Sequence, residues 1–179
     1  MNRKLLTILL LLVLPQFLRA ESHWVLAQST LTYHISHPLH DADGVSHAAR
    51  GKGICNAGQC NFLIAVPVKT FDSGNSNRDL HMLEVVRGAE FPMVVVHFRL
   101  PEAALSSGTI HADLEIQFAG QTTEYKQVVF HRLVKGSEIQ VTGTIPLKLS
   151  DFKIRRPELL GMPIKNEAPV RVDTTWRSS

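Results

Sequence analysis

The stretch TIHADLEIQFA, residues 109–119, decides the fold of this chain because polar and apolar side chains alternate along its whole length. Ile110 and Ile116 fall on one face, and His111 and Glu115 fall on the other. Successive side chains of a β-strand point to opposite faces of its sheet. The alternation therefore predicts a strand that buries one face and exposes the other.

The sequence on both sides of this strand repeats the pattern. A turn at residues 120–121 leads into a returning strand at residues 122–133. Further strands are expected at residues 31–37, 45–53, 61–69, 93–100, 139–149 and 170–176. The polar stretch HDADG at residues 40–44 predicts a loop, and residues 151–168 predict an irregular rim segment. Seven or eight strands joined by short turns favour an all-β, antiparallel sandwich or a closed barrel.

One stretch breaks the alternation and predicts a short helix: SGNSNRDLHMLEVVRGAEFP, residues 73–92. Ser76, followed three residues later by Asp79, predicts the start of the helix, and Gly88 predicts its end. Apolar side chains at near-helical spacing predict its buried face. They are Leu80, Leu83, Val86 and Ala89. A single amphipathic helix among strands is typical of a lid or plug at the rim of the fold.

The first 20 residues, MNRKLLTILLLLVLPQFLRA, have the pattern of a secretory signal peptide. Two basic residues precede an apolar run, and a small residue, Ala20, ends the segment. The apolar run is too short to span a bilayer comfortably. We therefore expect cleavage near Ala20, export to the periplasm or outside the cell, no stable membrane insertion, and one domain at residues 21–179.

Charge excludes one class of partner. Cleavage would remove three of the 19 Lys and Arg residues and none of the 16 Asp and Glu residues, leaving sixteen of each. A mature chain without net charge has no general attraction for nucleic acid or an anionic membrane. We therefore expect no nucleic-acid partner.

The two cysteines, Cys55 and Cys60, bracket the turn-forming sequence NAGQ. In an oxidising compartment, this spacing favours a disulfide that staples a hairpin. Closing so small a loop contributes about 2 kcal/mol in the chain-entropy description. A redox or metal-binding pair is the alternative, although the CxxC spacing is absent.

The inward-facing residues of the predicted strands are almost wholly aliphatic and aromatic. A barrel built from them would enclose either a filled core or an apolar cavity, and the sequence leaves both open. The residues expected to line such a lumen are Leu31, Tyr33, Phe62, Ile64, Val94, Phe98, Ala112, Leu114, Ile116, Phe118, Ile145 and Leu147.

Histidines provide an alternative site. His34, His40 and His47 fall in the first predicted hairpin, where a zinc- or copper-type site would need them to meet across the two strands. Solvated surface histidines are the simpler interpretation, so no metal is predicted. There is no G-x-S-x-G motif and no serine with an obvious histidine and acid partner. The sequence predicts neither an enzyme nor a cofactor.

Several stretches resemble the YceI-like family of secreted or periplasmic domains. The resemblance rests on HWVLAQSTLTYHISH, NRDLHMLEVVRGAEFP, GTIHADLEIQFAGQTTE and IPLKLSDFKIRRPELLGMPIKNEAPVRV, which follow one another over nearly the whole mature chain. It implies a lipocalin-like, antiparallel barrel of eight strands with one helix at the rim. It also implies an elongated lumen that binds a long amphiphile, such as a polyisoprenoid or quinone tail, and no catalytic activity.

The helix carries a candidate head-group site at the barrel mouth. Arg78 is suited to a pyrophosphate or carbonyl group, and His81 to a hydrogen bond with it. The alternative is that Arg78 pairs with Asp79 or Glu84 and fixes the helix to the rim.

The main hypothesis is a periplasmic or secreted protein that holds an isoprenoid- or quinone-type lipid in its lumen. Two alternatives stay open: a metal-binding or stress-related factor that uses the first-hairpin histidines, and a filled barrel that binds a partner through its surface. The oligomeric state is also open, and a homodimer is compatible with the sequence.

Overall fold

A computed structural model describes residues 21–179, so the predicted signal peptide at residues 1–20 lies outside the described residues. Residues 21–179 form eleven strands and one α-helix: β1 Ser22–His37, β2 His40–Ser46, β3 Arg50–Asn56, β4 Gln59–Pro67, α1 Ser76–Val85, β5 Met93–Pro101, β6 Thr109–Phe118, β7 Gln121–Lys135, β8 Glu138–Ile145, β9 Glu158–Leu159, β10 Met162–Pro163 and β11 Val170–Ser178. Short 3-10 turns occupy Val68–Thr70, Glu102–Ser106 and Leu149–Phe152.

The main sheet closes on itself. Its strands follow the order β11-β8-β7-β6-β5-β4-β3-β1-β2, and β11 also pairs with β1. All these pairings are antiparallel. Closure leaves no continuous free edge, which resolves the choice between sandwich and barrel in favour of the barrel.

Strands β2 and β3 act as one interrupted strand of this barrel. β2 pairs with the second half of β1, where Leu31 faces Ser46, and β3 pairs with its first residues, where Ser22 faces Cys55. Both pairings keep the same register, and the ladder to β1 is interrupted at residues 47–51. The barrel therefore has eight strands, as predicted.

The prediction of a loop at HDADG, residues 40–44, is wrong. These residues begin β2, where Gly44 faces Tyr33 of β1. A Cβ atom on Gly44 would lie 2.3 Å from the Tyr33 ring. Because glycine has no side chain, the ring can pack directly against the backbone of β2. Local polarity predicted a loop because the polarity of a segment does not reveal that it pairs with the strand before it.

The helix exists, but two of its expected details are wrong. Its N-cap is Asn75, whose side chain accepts a hydrogen bond from the Arg78 backbone N–H at 3.1 Å, so the start does not depend on a Ser76 cap. Leu80 and Ala89, both predicted to be buried, are exposed, Leu80 by 60%. Met82 packs against the core, and Val86, just beyond the helix, is buried. Of these two positions, the sequence spacing selected Val86 and missed Met82.

A β-bulge interrupts the longest hairpin. The register between β6 and β7 shifts between Ala112 and Leu114, and Gln127 opposite takes a left-handed conformation with φ of 53°. The Asp113 carboxylate accepts hydrogen bonds from the Gln127 backbone at 2.8 Å and from its side chain at 3.1 Å. These bonds lower the pKa of Asp113, because they favour the ionised carboxylate. Bulges of this kind increase local twist and curvature, which a small closed barrel needs.

Candidate ligand-binding lumen

The barrel encloses an apolar cavity of about 230 Å³ that reaches from the helix-bearing end to the disulfide-bearing end. Its wall combines inward side chains of the barrel strands with side chains from the segments at both ends. Among the residues that the structure describes, its lining contains no acidic side chain and one basic one, Arg132. A site with this lining is suited to a hydrocarbon chain, because burial of apolar area supplies its affinity.

The structure places every residue predicted for the lumen in the cavity wall. The set comprises Leu31, Tyr33, Phe62, Ile64, Val94, Phe98, Ala112, Leu114, Ile116, Phe118, Ile145 and Leu147. That each of them touches a ligand stays a prediction.

Aromatic residues lie against glycines of the wall. Phe62 occupies the space that a Cβ atom on Gly53 would fill, with ring atoms 2.3 Å from that position. Phe130 occupies the corresponding space at Gly143, at 2.5 Å. Phe62 also stacks on Phe98, with ring centroids 5.0 Å apart. Rings that lie against bare backbone occupy less of the lumen than rings that project across it, so these glycines help to preserve the cavity.

The helix-bearing end is closed by side chains that sequence reasoning did not assign to the lumen. Phe71, Met82 and Val86 join the cavity lining there. The segment after the helix is tied to the β6–β7 turn, because the Arg87 guanidinium donates to the Ala119 carbonyl at 2.7 Å. The missed signal is that Met82 and Val86 stand four residues apart, which places them on one face.

Arg78 and Asp79 both bind Ser73, and neither lines the cavity. Arg78 Nε donates to Ser73 Oγ at 2.8 Å, and its terminal nitrogen donates to the Ser73 carbonyl at 2.8 Å. The Asp79 carboxylate accepts from Ser73 Oγ at 2.6 Å. His81 lies on the outer surface, 3.5 Å from a carboxylate oxygen of Glu84. Arg78 and Asp79 fix the start of the helix; a head-group role for Arg78, Asp79 and His81 stays a prediction.

Tyr33 brings a polar hydroxyl group to the lining of the lumen near the helix-bearing end of the barrel. It lines the cavity, and its ring packs against Phe71 with centroids 5.7 Å apart. Burial raises the pKa of the Tyr33 hydroxyl, and the negative charge of Asp79 raises it further. The hydroxyl is therefore neutral at physiological pH and available as a donor.

At the opposite end, Cys55 and Cys60 form the predicted disulfide across the β3–β4 hairpin. The Glu102 backbone N–H donates to the Gly58 carbonyl at 2.8 Å and attaches the 3-10 turn Glu102–Ser106 to this hairpin. Leu105 of that turn lines the cavity. The disulfide thus stabilises the end of the barrel where the 3-10 turn covers the lumen.

Two polar residues of the lining, Trp24 and Arg132, were not predicted. Trp24 Nε1 and Arg132 Nε are both buried, and neither has a hydrogen-bond partner in the described part of the chain. The alternation of β7 contained a signal for Arg132, because it continues the inward series of Val128 and Phe130. The charge of an arginine, by contrast, favours an outward position.

The structure does not bring His34, His40 and His47 together. His34 Nδ1 lies 2.8 Å from Asp43 Oδ1, and His47 Nδ1 lies 3.2 Å from Thr30 Oγ1. His40 packs beside the ring of His37. Within residues 21–179, no group of three or more His, Cys, Asp or Glu side chains has an arrangement that holds a metal ion.

His37 instead has a structural role. It is buried, and its Nδ1 accepts from the Leu39 backbone N–H at 3.1 Å. Nε2 therefore carries the proton and donates to the Met162 carbonyl at 3.0 Å. This bond attaches the β9–β10 hairpin of the rim to the end of β1.

A closed antiparallel barrel around an apolar lumen defines a lipocalin-like barrel. This chain belongs to the YceI-like family, because the family model for the YceI-like domain matches residues 24–176. Among residues 21–179, no helix combines the length and apolar character needed to cross a bilayer.

Solved structures share the fold at low sequence identity. A polyisoprenoid-binding domain from Saccharophagus degradans, implicated in plant cell wall breakdown, has a TM-score of 0.66 and 13% identity, covering 87% of this chain and 98% of that chain. BcnA from Burkholderia cenocepacia has a TM-score of 0.69 and 12% identity, covering 82% and 95%. A YceI protein from Campylobacter jejuni has a TM-score of 0.52 and 11% identity, covering 64% and 70%. The comparison with curated proteins found no match.

Proposed function

We propose that this protein is a binding protein, not an enzyme, that holds a long apolar amphiphile of the isoprenoid or quinone type in its lumen. The observation that carries the proposal is the apolar cavity of about 230 Å³, which favours an open lumen over a filled core. The polyisoprenoid-binding domain from Saccharophagus degradans, which has the same fold, supports this ligand class.

The cavity supplies affinity without specific polar contacts. Burying a methylene group contributes about 0.8 kcal/mol, so about ten methylenes contribute about 8 kcal/mol, from which the cost of ordering the chain and losing its free motion is subtracted. The proposed setting is the periplasm or the cell exterior, which the signal-peptide pattern of residues 1–20 and the Cys55–Cys60 disulfide support.

The direct test is native mass spectrometry of the protein purified from its export compartment without detergent exchange. We expect an adduct of several hundred daltons that is removed by organic solvent, and the extract identifies the lipid class. A chain without lipid that also fails to bind added isoprenoid alcohol would contradict the proposal. A metal-sized adduct would instead favour the alternative that uses the histidines.

A further inference from the structure

At the disulfide-bearing end of the lumen, two hydrogen-bond donors have no acceptor among the described residues. Trp24 Nε1 and Arg132 Nε are buried, and both side chains belong to the cavity lining. Neither atom has a hydrogen-bond partner within residues 21–179. Buried donors are nearly always paired in folded proteins, so two unpaired donors in one apolar cavity indicate a binding role.

Strand pairing puts both residues near the same end of the barrel. Trp24 faces Gly53 of β3, two residues before Cys55 of the disulfide. The Arg132 backbone N–H donates to the Gly108 carbonyl at 2.9 Å, immediately before β6 begins. Arg132 therefore lies near the end of strand β7 and near the 3-10 turn that covers this end of the barrel. The helix-bearing end, with Met82 and Val86, is at the far end of the lumen.

The charge of Arg132 determines which group suits this place. The lining contains no acidic side chain within the described residues, so no carboxylate of the cavity wall neutralises the guanidinium. Arginine presents several N–H donors in a fixed plane that matches carboxylate and phosphate oxygens. The indole N–H of Trp24 is a donor only, and adds a second bond to the same kind of acceptor.

We propose that this end of the lumen is a polar subsite in which Arg132 and Trp24 bind an anionic oxygen group, a carboxylate or a phosphate, at the end of an apolar chain. The chain then extends through the apolar lumen towards α1. This inference rests on the proposed function and adds the chemistry and the orientation of the ligand. It places the charged group opposite the helix that bears Arg78.

Three probes with the same tail test the proposal: geranylgeraniol, geranylgeranoic acid and geranylgeranyl phosphate. Binding to the oxidised protein, residues 21–179, is measured by isothermal titration calorimetry, with folding checked by circular dichroism. We expect the acid, the phosphate or both to bind more tightly than the alcohol. The tighter of the two anions identifies the end group that the subsite prefers.

Variants locate the preference in the structure. Arg132→Met should weaken binding of the preferred anion by about ten- to a hundredfold, because charge-assisted hydrogen bonds are lost, and leave the alcohol nearly unaffected. Trp24→Phe removes one neutral donor and should weaken it by about two- to tenfold. Arg99→Met removes an exposed arginine of β5 and is the matched control, with no expected effect.

Two outcomes overturn the subsite but leave the lumen function standing. One is a wild-type protein that binds the alcohol and does not prefer either anion. The other is a preference that survives Arg132→Met and disappears in Arg78→Met, which would place the charged group at the helix. If none of the three probes binds, the lumen function itself fails, and the subsite fails with it.

Discussion

Replacing Ala112 by tryptophan should reduce lipid binding by filling the lumen. Ala112 lies on the inner face of β6, is 2% exposed and lines the cavity. An apolar cavity of about 150 Å³ is large enough to hold one benzene molecule. An indole ring would therefore take up a large part of the roughly 230 Å³ available here.

The size of the effect follows from the chain that the ring displaces. If the indole excludes about four methylene groups of the ligand, the loss is about 3 kcal/mol, or a weakening of about 150-fold. Overfilling of a packed core costs about 1–3 kcal/mol of folding free energy. Because the ring enters open space, we expect the unfolding free energy of Ala112→Trp to change by less than that range.

The assay compares binding and stability in the same preparations. Geranylgeraniol affinity is measured by calorimetry, and the free energy of unfolding is measured by denaturant titration. His111→Trp is the matched control, because the neighbouring side chain on the same strand is exposed on the outer surface. A folded Ala112→Trp protein with wild-type affinity would refute the lumen as the binding site. An equal loss in both variants would show that the effect does not come from filling the cavity.

Three further predictions concern stability. Reducing the Cys55–Cys60 bond should lower the free energy of unfolding by about 2 kcal/mol, measured in urea with and without reductant, because the unfolded chain gains freedom. Burial raises the pKa of Tyr125 from 10.0 to about 12, and the hydrogen bond to a carboxylate also raises it. Because the folded state favours the protonated phenol, the contribution of Tyr125 to the free energy of unfolding should be intact below pH 10 and disappear as pH rises towards 12. Tyr125→Phe should remove that dependence. Asp113 has a pKa below its ordinary 3.8, so its contribution to the free energy of unfolding should be present above pH 3.8 and disappear as pH falls through the lowered pKa. Asp113→Asn should remove this contribution from the acid denaturation curve.

Each of these predictions has an outcome that contradicts it. Identical urea midpoints before and after reduction would show that the hairpin disulfide does not stabilise the fold. An alkaline transition that persists unchanged in Tyr125→Phe would assign that transition to other groups. Parallel acid denaturation curves for the wild type and Asp113→Asn would show that the bulge carboxylate is not linked to folding through its proton.

The sequence predicted the lumen wall well because position on a strand is a local property. Leu114 and Ile116 face inward because side chains alternate along β6, and their neighbours His111 and Glu115 are exposed. The same alternation predicted that Phe62 of β4 faces inward, and Phe62 also lines the cavity. The head-group prediction for Arg78 depended instead on where the helix sits, which no local pattern specifies.

Arg132 shows why part of the site was missed. Its place in the alternation of β7 pointed inward, but its charge favoured solvent, and the choice between them depends on neighbours distant in sequence. Likewise, the polar residues 40–44 form a strand because β1 provides a partner and Gly44 admits the Tyr33 ring. The polarity of residues 40–44 alone does not reveal this pairing with the preceding strand.

By itself, the sequence determined that this protein is an all-β domain with an apolar inner face, one helix and one hairpin disulfide. Those features depend on side-chain period, turn residues and short loops, which act between neighbours in the chain. The tertiary structure decided that β11 returns to β1, that an open cavity remains inside, and that Trp24 and Arg132 share it. Closure and cavity depend on register and packing among all the strands at once, and no single stretch contains that information.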